Sequence, residues 1–264
     1  MTLTTTIHPM KINTISLLLL LLGITTACEK ELEPYNSPEC RLNFVFYNYS
    51  GTVMKSNQVN DAVRHSTYSF ISASAKKHTE VTRDTLWFEV STMGFLSDKD
   101  RPVRLEQANT GSDAAVPGIH YVPFDDPGFQ KICFVPANAN KTMVPVIVLR
   151  DASLDAGDVN LTFRLAPNEY CQAGYPAMAE RTLQIVGRLI QPDNWPYQFG
   201  KYSPDKHRLM IEWTGEPWDE DYIRTLLKGD VGYLTYLRTF FRKKLSEENA
   251  KRKEAGLEPY NFTF

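Results

Sequence analysis

The chain has little of what would announce a specific chemistry. Four cysteines in 264 residues form no C-x-x-C pair and no Cys/His spacing of a zinc site. No H-E-x-x-H, G-x-S-x-G, G-x-x-x-x-G-K-[S/T] or G-x-G-x-x-G occurs. The helix-borne zinc pair, the hydrolase nucleophile elbow and the common phosphate cradles are therefore missing. Neither sign of charge dominates: 29 Lys and Arg stand against 31 Asp and Glu, a formal net charge of −2, so no global basic surface points to nucleic acid. The single long apolar run, Ile15–Ile24, is too short to span a bilayer, which takes roughly 20 residues. With 42% hydrophobic residues the chain has ample material for a core, which excludes whole-chain disorder.

That short run carries an address instead. Lys11 precedes it, and Thr25, Thr26 and Ala27 follow it, the pattern of a signal peptide over residues 1–27; Met10 reads as the natural start. Cys28 comes directly after Ala27, a junction that resembles a bacterial lipobox, with Thr25 in the place usually held by Leu. The resemblance implies cleavage before Cys28 and attachment of lipid to it, anchoring the protein in the outer membrane. Glu29, Lys30, Glu31 and Glu33 resemble the acidic export signal of Bacteroidetes surface lipoproteins, which implies that the protein faces the cell surface. Residues 28–40 read as a tether. Cys40, Cys133 and Cys171 remain; the envelope permits a disulfide, one cysteine is left over, and Cys133 in the run Ile132–Val135 reads as a buried small hydrophobe.

From residue 41 to about 190 the signal is β. Leu42, Phe44 and Phe46 alternate with Asn43, Val45 and Tyr47. Leu86, Phe88 and Val90 alternate with Thr85, Trp87 and Glu89, and Val159, Leu161, Phe163 and Leu165 with Asn160, Thr162 and Arg164. Period-two alternation sends one set inward and the other outward. Thr142–Leu149 is almost continuously apolar, as for a central strand; Thr182–Ile190 and Thr67–Ile71 are further candidates. About eight short strands separated by turn signals predict a β-sandwich over 41–190. Near Trp195 the pattern changes, and residues 191–264 read as a smaller helix-containing region. One helix is expected to open at Pro217, carry the stripe Tyr222, Ile223, Leu226, Leu227 and stop at Gly229. A second is expected over Tyr233–Ala255, closed by Gly256.

Several stretches in order resemble the Bacteroidetes lipoprotein family called domain of unknown function 4843. They are Asp84–Trp87, Ser97–Arg101, Val116–Phe124, Val144–Ile147, Ala166–Glu169 and Phe199–His207. Pro117–Tyr121, Val146–Asp151 and Gly157–Leu161 separately look like the Calx-beta type of immunoglobulin-like sandwich. These resemblances imply an immunoglobulin-like β-sandwich and a surface accessory role beside SusC/SusD-like nutrient-uptake proteins. No calcium set transfers with them, because no acidic positions match one by one.

Among residues that could carry function, the tryptophans stand out, because a flat ring stacks on a sugar or a partner at low entropic cost. Trp87 points away from the inward face of its strand, so either the C-terminal helices or an outside partner covers it. Trp218, beside a proline in a loop-like context, is the other candidate contact residue. Trp195 and Trp213 read as packing between the sandwich and the helical region. Asp84-Thr85-Leu86 matches the short Bacteroidetes O-glycosylation pattern at Thr85. His120 reads as a packed strand-edge histidine and His207 as exposed. Asp125, Asp126, Asp151, Asp155 and Asp158 read as turn residues rather than calcium ligands. Arg238, Arg242, Lys243, Lys244, Lys251, Arg252 and Lys253 give the last helix a basic face, either solvated or a partner-docking surface. No catalytic set, metal or cofactor emerges. The expectation is a non-enzymatic binding or assembly subunit, with direct glycan capture as the alternative and a hydrolase with an unrecognised site as the second.

Overall fold

Alternation of apolar and polar residues builds the first part of the molecule, seen in a computed structural model that describes residues 38–264. The signal peptide, Cys28 and nearly all of the tether lie outside the described residues. Strands β1 (Arg41–Phe44), β2 (His65–Ser69), β3 (Arg83–Met93), β4 (Arg101–Pro102), β5 (Arg104–Gln107), β6 (Phe134–Val135), β7 (Lys141–Leu149), β8 (Val159–Ala166), β9 (Gln172–Ala173) and β10 (Glu180–Val186) follow in chain order. One sheet has the order β7-β3-β1-β9 and a second the order β2-β10-β8-β5, while β4 and β6 form a small ribbon. The inward sets are those the alternation predicts: Phe44, Phe88, Val90, Leu161, Phe163 and Leu165 are all buried. Phe163 meets Phe44 edge-on at 5.6 Å and Phe88 at 5.2 Å, so the two sheets share one core as a sandwich.

Two features of that core were not legible as such. Arg181 on β10 turns inward and lays its guanidinium over the Phe46 ring at 4.1 Å, with one N–H donated to the Val45 carbonyl at 2.6 Å. Burial pulls its pKa down to about 10. β7, expected in the middle of its sheet, is an outer strand. Its run is apolar because its side chains from Val144 to Val148 are buried, and residues 120–122 close its free edge: the Val122 N–H donates to Ile147 O and the Leu149 N–H to His120 O, each at 2.8 Å. Residues 145, 147 and 149 therefore turn their backbone polar groups away from β3, and Pro145, with no N–H to give, fits where no ladder bond is made. Proline inside the run was the cue for an edge strand.

Cys40 and Cys171 form a disulfide with Cα atoms 4.6 Å apart. They immediately precede the parallel pair in which Arg41 stands opposite Gln172, so the bond clamps β1 to β9 where the chain enters the sandwich. Cys133 is free and buried, as expected, and burial pushes its thiol up to about 12.

The helices number more than the sequence reading expected. The run Thr67–Ile71 ceases to be a strand at Phe70, where α1 (Phe70–Lys77) begins: the Ser69 hydroxyl accepts from the Ser72 N–H and caps it. α2 (Pro204–Thr214) also went unforeseen, although Ser203, Pro204 and Gly215 are the N-cap, first-turn and C-terminal residues that a helix wants. The helix expected to open at Pro217 instead spans Glu220–Leu227 (α3), capped by Asp219. Pro217 and Trp218 make the turn before it, with Trp218 at φ 49°. α4 (Val231–Glu254) matches the expected long helix and ends before Gly256, at φ 71°.

α2, α3 and α4 enclose a second apolar cluster around Phe199, Met210, Trp218, Ile223, Phe241 and Phe264, separate from the sandwich core, to which Phe70 of α1 belongs. Lys76 of α1 joins the two parts, its Nζ 3.1 Å from Asp219 and 3.2 Å from Asp221 at the start of α3.

Candidate functional site

Strand parity places Thr85, Trp87 and Glu89 on the outer face of the first sheet, opposite Ile147, Pro145 and Met143. No helix among the described residues covers the tryptophan: Trp87 is 52% exposed, and Tyr47 and Met143, both at Glu89 on the same face, are half-exposed. Glu89 organises the patch. Its carboxylate takes the Lys141 ammonium at 2.8 Å and accepts the Tyr47 hydroxyl. Those two hydrogen bonds hold it below the ordinary carboxylate range. The result is an aromatic and thioether surface on a rigid sheet, its charges already paired. It offers stacking and apolar contact, not a reactive group. Thr85 is half-buried on the same face, so a glycan on it would lie over the Trp87 patch.

The second expected contact residue needs correction. Trp218 is 0% exposed: its ring packs edge-on against Phe199 at 5.5 Å and Phe241 at 5.4 Å, and its Nε1–H donates to Thr214 Oγ1 at 2.8 Å. The left-handed turn after Pro217 swings the side chain inward, and a fully enclosed ring cannot meet a ligand. Trp195 and Trp213 are part-buried as expected, but within the helical cluster rather than between it and the sandwich. Trp195 donates to Gly200 O at 2.9 Å, and Trp213 packs on Phe241 and Phe264.

His207 also departs from expectation. It is 1% exposed on the inner side of α2, between Trp195 and Tyr202. Burial drives its pKa down to about 4, against the opposing pull of the Pro217 and Trp218 backbone and of Asp219. His120 is packed as expected, its Nδ1 accepting from the Val116 N–H at 2.9 Å and its Nε2 2.9 Å from Ser153 Oγ.

A cleft of about 570 Å3 lies where α1 and β2 meet residues 190–193 and the start of α3. Here Asp84 accepts from Tyr68 and Lys77, each at 2.8 Å. Burial alone would raise the Asp84 carboxyl, but hydrogen bonds from Lys77, Tyr68 and the Thr85 N–H outweigh it and hold it low. Burial and the Asp84 hydrogen bond push the Tyr68 hydroxyl up. At neutral pH the acid is ionised and the phenol protonated, so neither is poised to exchange a proton. The aspartates make turns: Asp126 accepts from the Gly128 and Phe129 N–H groups, Asp151 from Ser153, and Asp158 pairs with Arg188 at 2.7 Å. Among the described residues no group of three or more His, Cys, Asp and Glu is placed to hold a metal.

A second aromatic surface was missed altogether. Tyr233, Tyr236 and Phe240 line one side of α4 with ring centroids 6.1 and 6.3 Å apart and planes within 17° and 24°. Their i, i+3, i+7 spacing was the available signal, but it reads equally as a buried stripe.

Residues 47–216, more than half of the chain, match the family described as Domain of unknown function (DUF4843). The chain belongs to this family. The Trp87 face lies inside the DUF4843 region, whereas α3 and α4 lie beyond it. No curated protein matches. Among solved structures, one protein of unknown function from Bacteroides ovatus is 13% identical, with 56% of this chain and 44% of that chain covered and a TM-score of 0.33. A two-domain protein with unknown function from Bacteroides fragilis NCTC 9343 is 12% identical over 72% and 60% of the two chains, TM-score 0.34. A third, from Bacteroides ovatus ATCC 8483 and described provisionally as carbohydrate binding, is 7% identical over 55% and 37%, TM-score 0.29. The chain spans less than two thirds of the length of each of these structures, and likenesses this distant carry no argument.

Proposed function

We propose that this DUF4843 protein is a lipid-anchored accessory subunit of an outer-membrane nutrient-uptake system, facing the cell surface, that binds or assembles rather than catalyses. The Trp87 face carries the reading. A tryptophan half-exposed on a rigid strand, flanked by Tyr47 and Met143 and with its neighbouring charges paired, is costly to leave in water and well suited to a partner. The signal-peptide pattern ending at Cys28 supplies the anchor, and the resemblance to Calx-beta sandwiches suits a rigid, non-catalytic scaffold. Purified mature protein is expected to turn over neither peptide nor glycan panels.

The test is a pull-down from the native outer membrane. Wild type is expected to retain SusC/SusD-like proteins, and Trp87→Ala to lose them. Equal retention by both would remove the Trp87 face from the reading, and retention of nothing would remove the accessory role.

Direct glycan capture is the second reading, favoured by the stacked Tyr233–Tyr236–Phe240 row, whose two tyrosines are exposed. Loss of glycan binding on Tyr236→Ala, with no uptake protein retained by wild type, would put it first.

A further inference from the structure

The ladders define the point at which the chain enters the sandwich. Arg41 stands opposite Met93 of β3 on one side and opposite Gln172 of β9 on the other. Phe95 and Leu96 come just beyond Met93, and Tyr170 comes just before Gln172. These three side chains therefore gather at the end of the sandwich where the tether arrives. Each is about half in solvent: Phe95 is 54% exposed, Leu96 59% and Tyr170 48%.

The segments that carry them are fastened to the entry point and to each other. Arg101, at the end of the loop that holds Phe95 and Leu96, directs its guanidinium to Cys40 Sγ at 3.7 Å and to Ala139 O at 2.6 Å. Within that loop Ser97 O accepts from the Asn138 N–H at 2.7 Å, and the Asp100 carboxylate accepts from the Ala137 N–H at 2.8 Å. Asn168 accepts from the Tyr170 and Cys171 N–H groups at 2.9 and 2.8 Å and donates to Pro102 O at 2.8 Å. That ties the tyrosine turn to the ribbon strand beside the loop. A fixed loop that holds adjacent Phe and Leu side chains in water keeps apolar area in an unfavourable place. Charge nearby gives it no positive excess: Lys99 sits between Asp98 and Asp100, and Arg41 pairs with Glu39 at 2.8 Å. The surface suits apolar contact rather than electrostatic attraction.

We infer that Phe95, Leu96 and Tyr170 form a collar that sinks into the surface of the bilayer holding the lipid of Cys28. This rests on the reading of Cys28 as the anchor. Where the chain arrives decides the occupant. The stretch from Cys28 to Pro38, even fully extended, reaches only about 35 Å, so the bilayer lies within that distance of the entry point. Aliphatic and aromatic side chains partition into the acyl boundary, and a tyrosine there keeps its ring among the chains and its hydroxyl among the headgroups. The contact also orients the sandwich. From Met93 back to Trp87, β3 runs about 20 Å. The Trp87 face is then a side wall clear of the bilayer, at a height where a protein embedded in the same membrane can meet it.

The test uses mature protein purified in detergent and reconstituted in vesicles of phosphatidylethanolamine and phosphatidylglycerol. Leu96→Cys labelled with nitrobenzoxadiazole reports the collar, and Arg83→Cys with the same label reports the other end of β3. Cys133 is buried and Cys40 and Cys171 are paired, so the label goes to the introduced thiol. The label at position 96 is expected to emit at shorter wavelength on vesicles and to be quenched by brominated acyl chains at low and high salt alike; the label at position 83 is expected to do neither. Phe95→Ser should weaken the quenching at position 96 while melting as wild type does, as at a surface site. A label at position 96 that stays in water on these protein-free vesicles, equal quenching at the two positions, or quenching abolished by high salt would each overturn the collar. Mass spectrometry of the same preparation separates this from the anchor. Absence of lipid on Cys28 refutes the anchor and the collar with it, whereas lipidated protein with the position 96 label in water refutes the collar alone.

Discussion

Trp87 stands directly opposite Pro145 across the β3–β7 ladder. Because Pro145 turns its backbone away from β3, the two face each other as a non-hydrogen-bonded pair, in which side chains stand closest. The indole has a neighbour along one side and solvent over its face. Trp87→Ala is therefore expected to change stability by no more than about 0.5 kcal/mol, as at a surface site, while removing partner binding. A thermal melt beside the pull-down checks both halves; a large drop in melting temperature would make Trp87 a packing residue.

Trp218 should behave in the opposite way. Its ring fills the centre of the helical cluster, so Trp218→Ala is expected to cost about 3–5 kcal/mol, as for a buried aromatic. Chemical denaturation with helix content as the signal measures it, and a near-neutral result would contradict the enclosed position.

The disulfide closes a loop with a sequence separation of 131 residues. Replacing Cys40 and Cys171 by Ser together should cost several kcal/mol, about 3–5 on the loop-entropy scale. Equilibrium unfolding with and without reductant should give the same loss in wild type and none in the double variant. Cys133→Ser, by contrast, places a hydroxyl in the sandwich core and should destabilise whatever the redox state.

Acid should weaken the helical region through His207. Its folded pKa is about 4, against about 6.5 for an unperturbed histidine. The unfolded chain then takes up this proton first, and stability falls as pH drops from about 6.5 to about 4 and levels off below, by about 3 kcal/mol in all. His207→Gln should flatten that part of the profile. Melts of both proteins at pH 7 and pH 4.5 decide it: a parallel loss in the two would assign the acid effect to carboxylates instead.

The proposed anchor rests on one side chain. Wild type is expected to partition into detergent with the outer membrane, and Cys28→Ala to be recovered in the aqueous fraction. Equal membrane retention of both would refute lipid attachment at that position.

Period-two alternation was enough to place β1, β3 and β8 and to assign their inward faces, because a strand offers only two sides and burial of one leaves its mark on every second residue. The long helix α4 was equally plain, with Leu234, Leu237, Phe241 and Leu245 at helical spacing and Gly256 behind them. Local chemistry also held what was overlooked: Ser203 and Pro204 before α2, and Pro145 inside β7. The outward direction of Trp87 followed from its neighbours alone, but whether anything covered it depended on where residues distant in the chain came to rest. The same holds for Trp218 and His207, whose sequence surroundings look exposed and whose burial arises only when α2, α3 and α4 close around them. Pairing of Cys40 with Cys171, and of Arg242 with the Phe264 oxygen, were decided by tertiary structure for one reason. Spacing along a chain sets which way a side chain points, and only the packing of other segments sets what it meets there.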